Sequence, residues 1–93
     1  MKAQFDSFLK KCQDLVTKDG SGGILSVNEG RRYLKIVVTT GTQISVFAFV
    51  DKTNGDVLKP ATFKAPAANA RGNILDATNG MGRMTSFGPE YDN

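Results

Sequence analysis

Phe47 and Phe49 stand two apart in Ile44-Ser45-Val46-Phe47-Ala48-Phe49-Val50. Cations bracket them: Arg31, Arg32 and Lys35 with Tyr33 on one side, Lys59, Lys64 and Arg71 on the other. Side chains alternate faces along a strand, so both phenyl rings project in the same direction, roughly 7 Å apart. Aromatic rings at that spacing among basic side chains can stack bases and neutralise phosphates, the two contacts a single-stranded nucleic-acid site requires. Two phenylalanines on one face can equally close a hydrophobic core, which is their commoner fate. The candidate nucleic-acid-binding set is Arg31, Arg32, Tyr33, Lys35, Phe47, Phe49, Lys59, Lys64 and Arg71.

Other chemistries find little support. The chain has no histidine, so Cys12 cannot act in a Cys–His pair. No metal-ligand spacing is visible. Asp51, Asp56 and Asp76 are scattered, and the first two flank a turn where aspartate is expected anyway. Gly20-Ser21-Gly22-Gly23 lacks the lysine of a phosphate-binding loop. The expectation is a protein that is not an enzyme, with no catalytic residue, no metal and no cofactor.

Charge is distributed unevenly. Twelve Lys and Arg against nine Asp and Glu give a net +3. Residues 1–30 balance four lysines with four acids, whereas residues 31–83 carry eight basic residues against three aspartates, a local +5. Clustered cations suit a phosphate-binding surface, although lysines guarding a sheet edge would look the same. The N-terminus lacks the apolar run of a signal peptide, and no stretch approaches membrane-spanning length. With one cysteine there is no internal disulfide. A cytoplasmic protein is expected, with no membrane partner.

The elements that must position these residues form one α+β domain over residues 1–93. Phe5, Phe8, Leu9, Cys12, Leu15 and Val16 make one apolar stripe, which predicts an amphipathic helix over 3–19 ended by Gly20. Asp6→Lys10 and Asp14→Lys18 are favourable pairs across one turn. After a flexible Ser21-Gly22-Gly23 joint the period becomes two, predicting a four-stranded antiparallel meander over 24–63 packed on the helix. Thr40-Gly41 and Asn54-Gly55 read as its tight turns, the second with a type I′ preference. Pro60 places the fourth strand at an edge or breaks it. Ala65–Gly72, with Pro66 near the start and Gly72 at the stop, predicts a short second helix over 66–71. Residues 73–93 read as an irregular, loop-rich tail. Its Ile74, Leu75, Met81, Met84, Phe87 and Tyr91 either wrap the core or grip a second subunit.

Register decides what the two rings do. A two-residue turn at Thr40-Gly41 sets Leu34 opposite Phe47 and Arg32 opposite Phe49, with both rings in the core. One more residue in the turn reverses the parity. Tyr33 then faces Phe49 and Lys35 faces Phe47, an aromatic-basic surface. Both arrangements remain open on the residues alone.

Phe47-Ala48-Phe49-Val50 matches part of the RNA-recognition-motif signature. Ser45 and Val46 replace its basic residue and glycine, and no helix separates the two central strands. Four meandering strands followed by a short helix are similar in architecture to the Whirly and PUR-repeat single-stranded-DNA-binding folds, a likeness that carries no motif. Gly30–Val37, Ser45–Asp51, Gly55–Ala61, Ala65-Pro66-Ala67 and Ala70–Ile74 resemble segments of small uncharacterised proteins of tailed bacteriophages, over roughly residues 30–75. That resemblance implies a viral protein acting inside an infected cell and transfers no catalytic residue. The expected function is a small, dimeric nucleic-acid-binding protein for single strands, single-stranded DNA above all. Its acidic-aromatic end, Phe87–Asp92, is a candidate contact for a host or replication protein. The alternative is a protein-interaction module, an inhibitor or adaptor of a host enzyme, acting through a sheet edge or the C-terminal tail.

Overall fold

The computed structural model describes residues 1–90; Tyr91 and Asp92 of the acidic-aromatic segment lie outside the described residues. Helix α1 spans Lys2–Asp19 and buries Phe5, Phe8, Cys12 and Val16. Gly20, at φ 80°, ends it and donates its N–H to the Thr17 carbonyl. The exposed ion pairs are Lys2–Asp6 at 2.8 Å and Lys10–Asp14 at 3.2 Å, not the two expected. Each aspartate has a lysine four residues to either side, and it takes the N-terminal one. The joint is firmer than its glycines suggest. Gly23 is buried, and a Cβ there would stand 2.8 Å from Val38 Cγ2.

The sheet corrects the expected fold. It has five antiparallel strands in sequence order: β1 (Ile24–Glu29), β2 (Tyr33–Thr40), β3 (Gln43–Asp51), β4 (Asp56–Pro60) and β5 (Pro66–Asn73). Among the described residues there is no second helix. The segment expected to be helical over 66–71 is β5, which pairs Asp56↔Asn73, Val57↔Gly72 and Leu58↔Ala70. Its alanines favour a helix locally, but so short a helix is marginal in water. Pairing instead satisfies the outer edge of β4. Pro60 therefore does not sit on an edge strand; it ends β4 opposite Pro66, where neither residue has an N–H to give.

The turns also differ in detail. Thr40 pairs with Gln43, so the β2–β3 loop is Gly41-Thr42. Only Gly41 has positive φ, the sign pattern of a type II′ turn. At Asn54-Gly55 only Gly55 is left-handed, which excludes type I′. The loop is longer and closes through Gly55 N–H to the Asp51 carbonyl at 2.8 Å.

One irregularity in β3 decides the faces. Ile36 pairs with Ala48 but Val37 pairs with Val46, leaving Phe47 as an extra residue, a β-bulge. Alternation is broken there, and the two phenyl rings part company. Phe47, Ala48 and Val50 pack with Phe5, Phe8, Cys12, Val16 and Ile36 in the core beneath α1. Phe49 lies on the opposite face, cross-strand from Lys35, with its ring edge against Tyr33.

The tail closes the core. Ile74 is fully buried, and Met81 and Met84 pack on the same cluster. Two short strands, β6 (Met84–Thr85) and β7 (Gly88–Pro89), pair with each other, so the expected irregular tail carries a second, two-stranded sheet. Gly88 comes so near the bulge that a Cβ on it would lie 2.5 Å from the Phe47 carbonyl oxygen. Leu75 and Phe87 remain exposed. No helix among the described residues is long and apolar enough to cross a membrane.

Candidate functional site

The face of the sheet turned away from α1 carries Tyr33, Lys35 and Val37 from β2, Val46 and Phe49 from β3 and Leu58 from β4. Phe49, Val37 and Leu58 are buried, so this face has an apolar floor of its own. At the β1–β2 end it opens into a shallow cleft of about 220 Å³, edged by Arg31, Arg32, Tyr33, Lys35, Phe49 and Lys64 among others.

Tyr33 lines the cleft beside Phe49 and Arg32. Its ring meets Phe49 edge-on, with centroids 5.9 Å apart and planes at 74°, a favourable quadrupolar arrangement. The Arg32 guanidinium stands 5.3 Å from the Tyr33 centroid and donates from Nε to Asp51 at 3.2 Å. Asp51 is buried, which by itself raises its carboxyl pKa. The Thr53 hydroxyl and N–H, at 2.6 and 2.8 Å, together with Arg32, outweigh that and hold it below the ordinary value. Arg32 is therefore fixed in place beside Tyr33 by a carboxylate that stays ionised.

The acid at the cleft's edge is neutralised from outside. Glu29 accepts from Lys52 at 2.5 Å, and that bond lowers its pKa. Lys35 places its Nζ 4.1 Å from the Phe63 ring centroid and donates to the Phe63 carbonyl at 3.2 Å. Arg31 and Lys64 are exposed and form no ion pair among the described residues. The cleft is thus lined by four cations and one tyrosine, with Glu29 and Asp51 each already engaged.

Six of the nine residues expected at a nucleic-acid site meet here: Arg31, Arg32, Tyr33, Lys35, Phe49 and Lys64. The other three do not. Phe47, 2% exposed, is in the core because of the bulge. Lys59 donates to the Pro89 carbonyl at 3.0 Å. Arg71 is 8% exposed and donates to the backbone carbonyls of Asn69 and Glu90. Both cations hold the C-terminal segment against the sheet. Even Phe49 is 3% exposed, so it forms the floor of the cleft and is no open stacking surface.

Sequence reasoning missed Phe63. It lies in the 61–65 loop joining β4 to β5 and is 52% exposed. Its signal was the bracket of Pro60 and Pro66 around Thr62-Phe63-Lys64, an aromatic beside a lysine between two prolines at which a strand is interrupted. Among the described residues no group of three or more Cys, Asp or Glu is placed to hold a metal ion. Cys12 is buried, which pushes its thiol up to about 12; it packs 3.8 Å from the Met81 sulfur.

Residues 1–87 match the model of a family described as a family of unknown function (DUF7717). No curated protein and no solved structure matches the chain.

Proposed function

Because the chain belongs to that family, its role has to be read from its own surface, and we propose that it binds single-stranded nucleic acid. The observation that carries this reading is the cleft that Arg31, Arg32, Lys35 and Lys64 line together with Tyr33, where the acids Glu29 and Asp51 are already paired. Phosphates meet Arg31 and Lys64, whose charges no carboxylate claims among the described residues. Arg32, already oriented by Asp51, and Tyr33 fix the strand's position. Lys59, Arg71 and Phe47 take no part.

The test is a salt titration of binding to a labelled single-stranded oligonucleotide. Each phosphate neutralised on a single strand contributes about −0.7 to the slope of log K against log salt. Arg31→Ala with Lys64→Ala should therefore flatten the slope by about 1.4. Both side chains are exposed, so the fold should be unaffected. An unchanged slope removes them from the interface, and no binding by the wild-type chain at about 50 mM salt refutes the reading.

One observation favours a second reading, a protein-interaction module acting through the edge of β1. Leu25 donates its N–H outward, to Gln13 Oε1 at 2.8 Å, and Gln13 Nε2 donates to the Gly23 carbonyl. Alternation then turns the Val27 and Glu29 backbone groups to the same outer edge. They lie beside an apolar groove lined by Phe5, Val27 and Leu34, where an extended peptide could add as a strand.

A further inference from the structure

We infer that Phe63 is the ring on which a base stacks, a role that rests on the nucleic-acid reading and replaces the one expected of Phe47 and Phe49. The 61–65 loop is closed on itself. The Ala61 and Thr62 N–H groups both donate to the Ala65 carbonyl, at 3.0 and 3.1 Å. The Lys64 and Ala65 N–H groups donate to Thr62 Oγ1, at 3.2 and 3.1 Å. Phe63 stands at the turn of this tight loop, so little conformational entropy remains to be lost when a ligand stacks on it.

Its surroundings are those of a base-binding ring. Lys35 occupies one face of the phenyl group, 4.1 Å from its centroid, and is bonded to the Phe63 carbonyl. Phe63 nonetheless remains 52% exposed, so a ligand can reach it from the trough that it lines. On one side lies the cationic cleft, reached through Lys64 and Lys35. On the other, Phe63 lines an uncharged trough with Ile44, Val46 and Pro60. A nucleotide stacked on Phe63 therefore has apolar contact for its base and cations within reach of its phosphates. Phe87 is the instructive contrast. It is more exposed, at 82%, but its neighbour Ser86 is bonded to Asp19 and no cation faces its ring among the described residues. It lacks the charge that a nucleotide needs.

The chain contains no tryptophan, so Phe63→Trp introduces a single indole reporter. Titrating that variant with oligodeoxythymidylate at about 50 mM salt should quench the indole, with the same midpoint as the anisotropy of a fluorescein-labelled oligonucleotide. Phe63→Ala should weaken binding of the labelled strand about 5- to 150-fold, the range for one lost base–aromatic stack. Its salt slope should stay unchanged and its thermal midpoint should lie within a few degrees of wild type. Phe63→Leu should weaken binding as well, while Phe87→Ala should not. If the wild type binds but Phe63→Ala binds equally well and the indole is not quenched, Phe63 is excluded and the phosphate contacts stand. If the wild type does not bind, both readings fall.

Discussion

Phe47→Ala is the substitution that tests the bulge. The ring is 2% exposed and lies in the cluster formed with Phe5, Phe8 and Cys12, so its removal leaves a cavity that the surrounding helix and sheet cannot fully collapse. Truncating a buried phenylalanine costs about 3–5 kcal/mol. A chain of 93 residues has a total stability of roughly 5–14 kcal/mol and an unfolding entropy near 0.2 kcal/mol/K. The expected loss therefore lowers the thermal midpoint by about 15–25 °C and removes a large part of the stability. Thermal unfolding followed by far-ultraviolet circular dichroism, with urea denaturation at 25 °C, measures both quantities. Under conditions where the variant is folded, its affinity for a single strand should equal that of wild type. A midpoint within about 5 °C of wild type would refute the reasoning, since it would place the ring outside the core and restore simple alternation along β3. Intact stability with weakened binding would go further and return Phe47 to the interface.

Two other outcomes follow from the closing of the core and from its carboxylates. Gly88 has φ +108° and its missing Cβ would stand 2.5 Å from the Phe47 carbonyl oxygen, so Gly88→Ala combines backbone strain of about 1–3 kcal/mol with a backbone clash. It should lower the thermal midpoint by about 10 °C or more; an unchanged midpoint would separate the tail from the bulge. Acid should destabilise the fold. Asp51 is held low by Thr53 and Arg32 against the effect of its burial, and Asp76 by the Gly80 N–H, the Thr78 hydroxyl and further donors. A carboxyl whose folded pKa lies below its unfolded value of about 3.9 contributes stability that is complete well above that value and drains away as pH falls below it. The thermal midpoint should be flat between about pH 7 and 5 and fall below about pH 4, with a shallower fall in Asp51→Asn and Asp76→Asn. Equal acid sensitivity in all three proteins would show that other groups carry the effect.

What was legible in the sequence was what a short window determines. The 3.6-residue stripe from Phe5 to Val16 and the glycine at its end specify α1 without reference to anything distant. The period-two runs likewise mark β1 to β4. The segment 66–71 was not legible because its alanines state a local preference, whereas its structure is decided by the unpaired edge of β4, which is remote information. The face of Phe47 failed for a related reason. Turn length sets parity only along an unbroken strand; a bulge reverses parity inside one, and nothing in Ser45-Val46-Phe47-Ala48 announces it. The site residues divide along the same line. Arg31, Arg32, Tyr33 and Lys35 are neighbours in sequence and stay together, while Lys59 and Arg71 share only their charge with that group and are taken by the carbonyls of Pro89, Asn69 and Glu90.

On the proposed nucleic-acid reading, that single extra residue in β3 also separates stability from binding. Had alternation held, Phe47 and Phe49 would share a face, and any ring able to stack a base would be withdrawn from the core. The bulge lets Phe47 and Ala48 both serve the face beneath α1, and it hands Phe49 to the opposite face, where it braces Tyr33 from below. Both faces of β3 are thereby filled, so the proposed stacking falls to a ring that no core requires. Phe63 meets that condition because the two prolines that end β4 and begin β5 force the chain out of the sheet between them. The substitutions should accordingly sort into separable classes. Phe47 should affect stability alone, Arg31, Lys64 and Phe63 affinity alone, and Phe49 both, since it is at once a buried ring and the support of Tyr33. A Phe49→Ala variant that loses stability but binds normally when folded would show that Tyr33 needs no brace, and that the cleft is shaped by Arg32 and Asp51 instead.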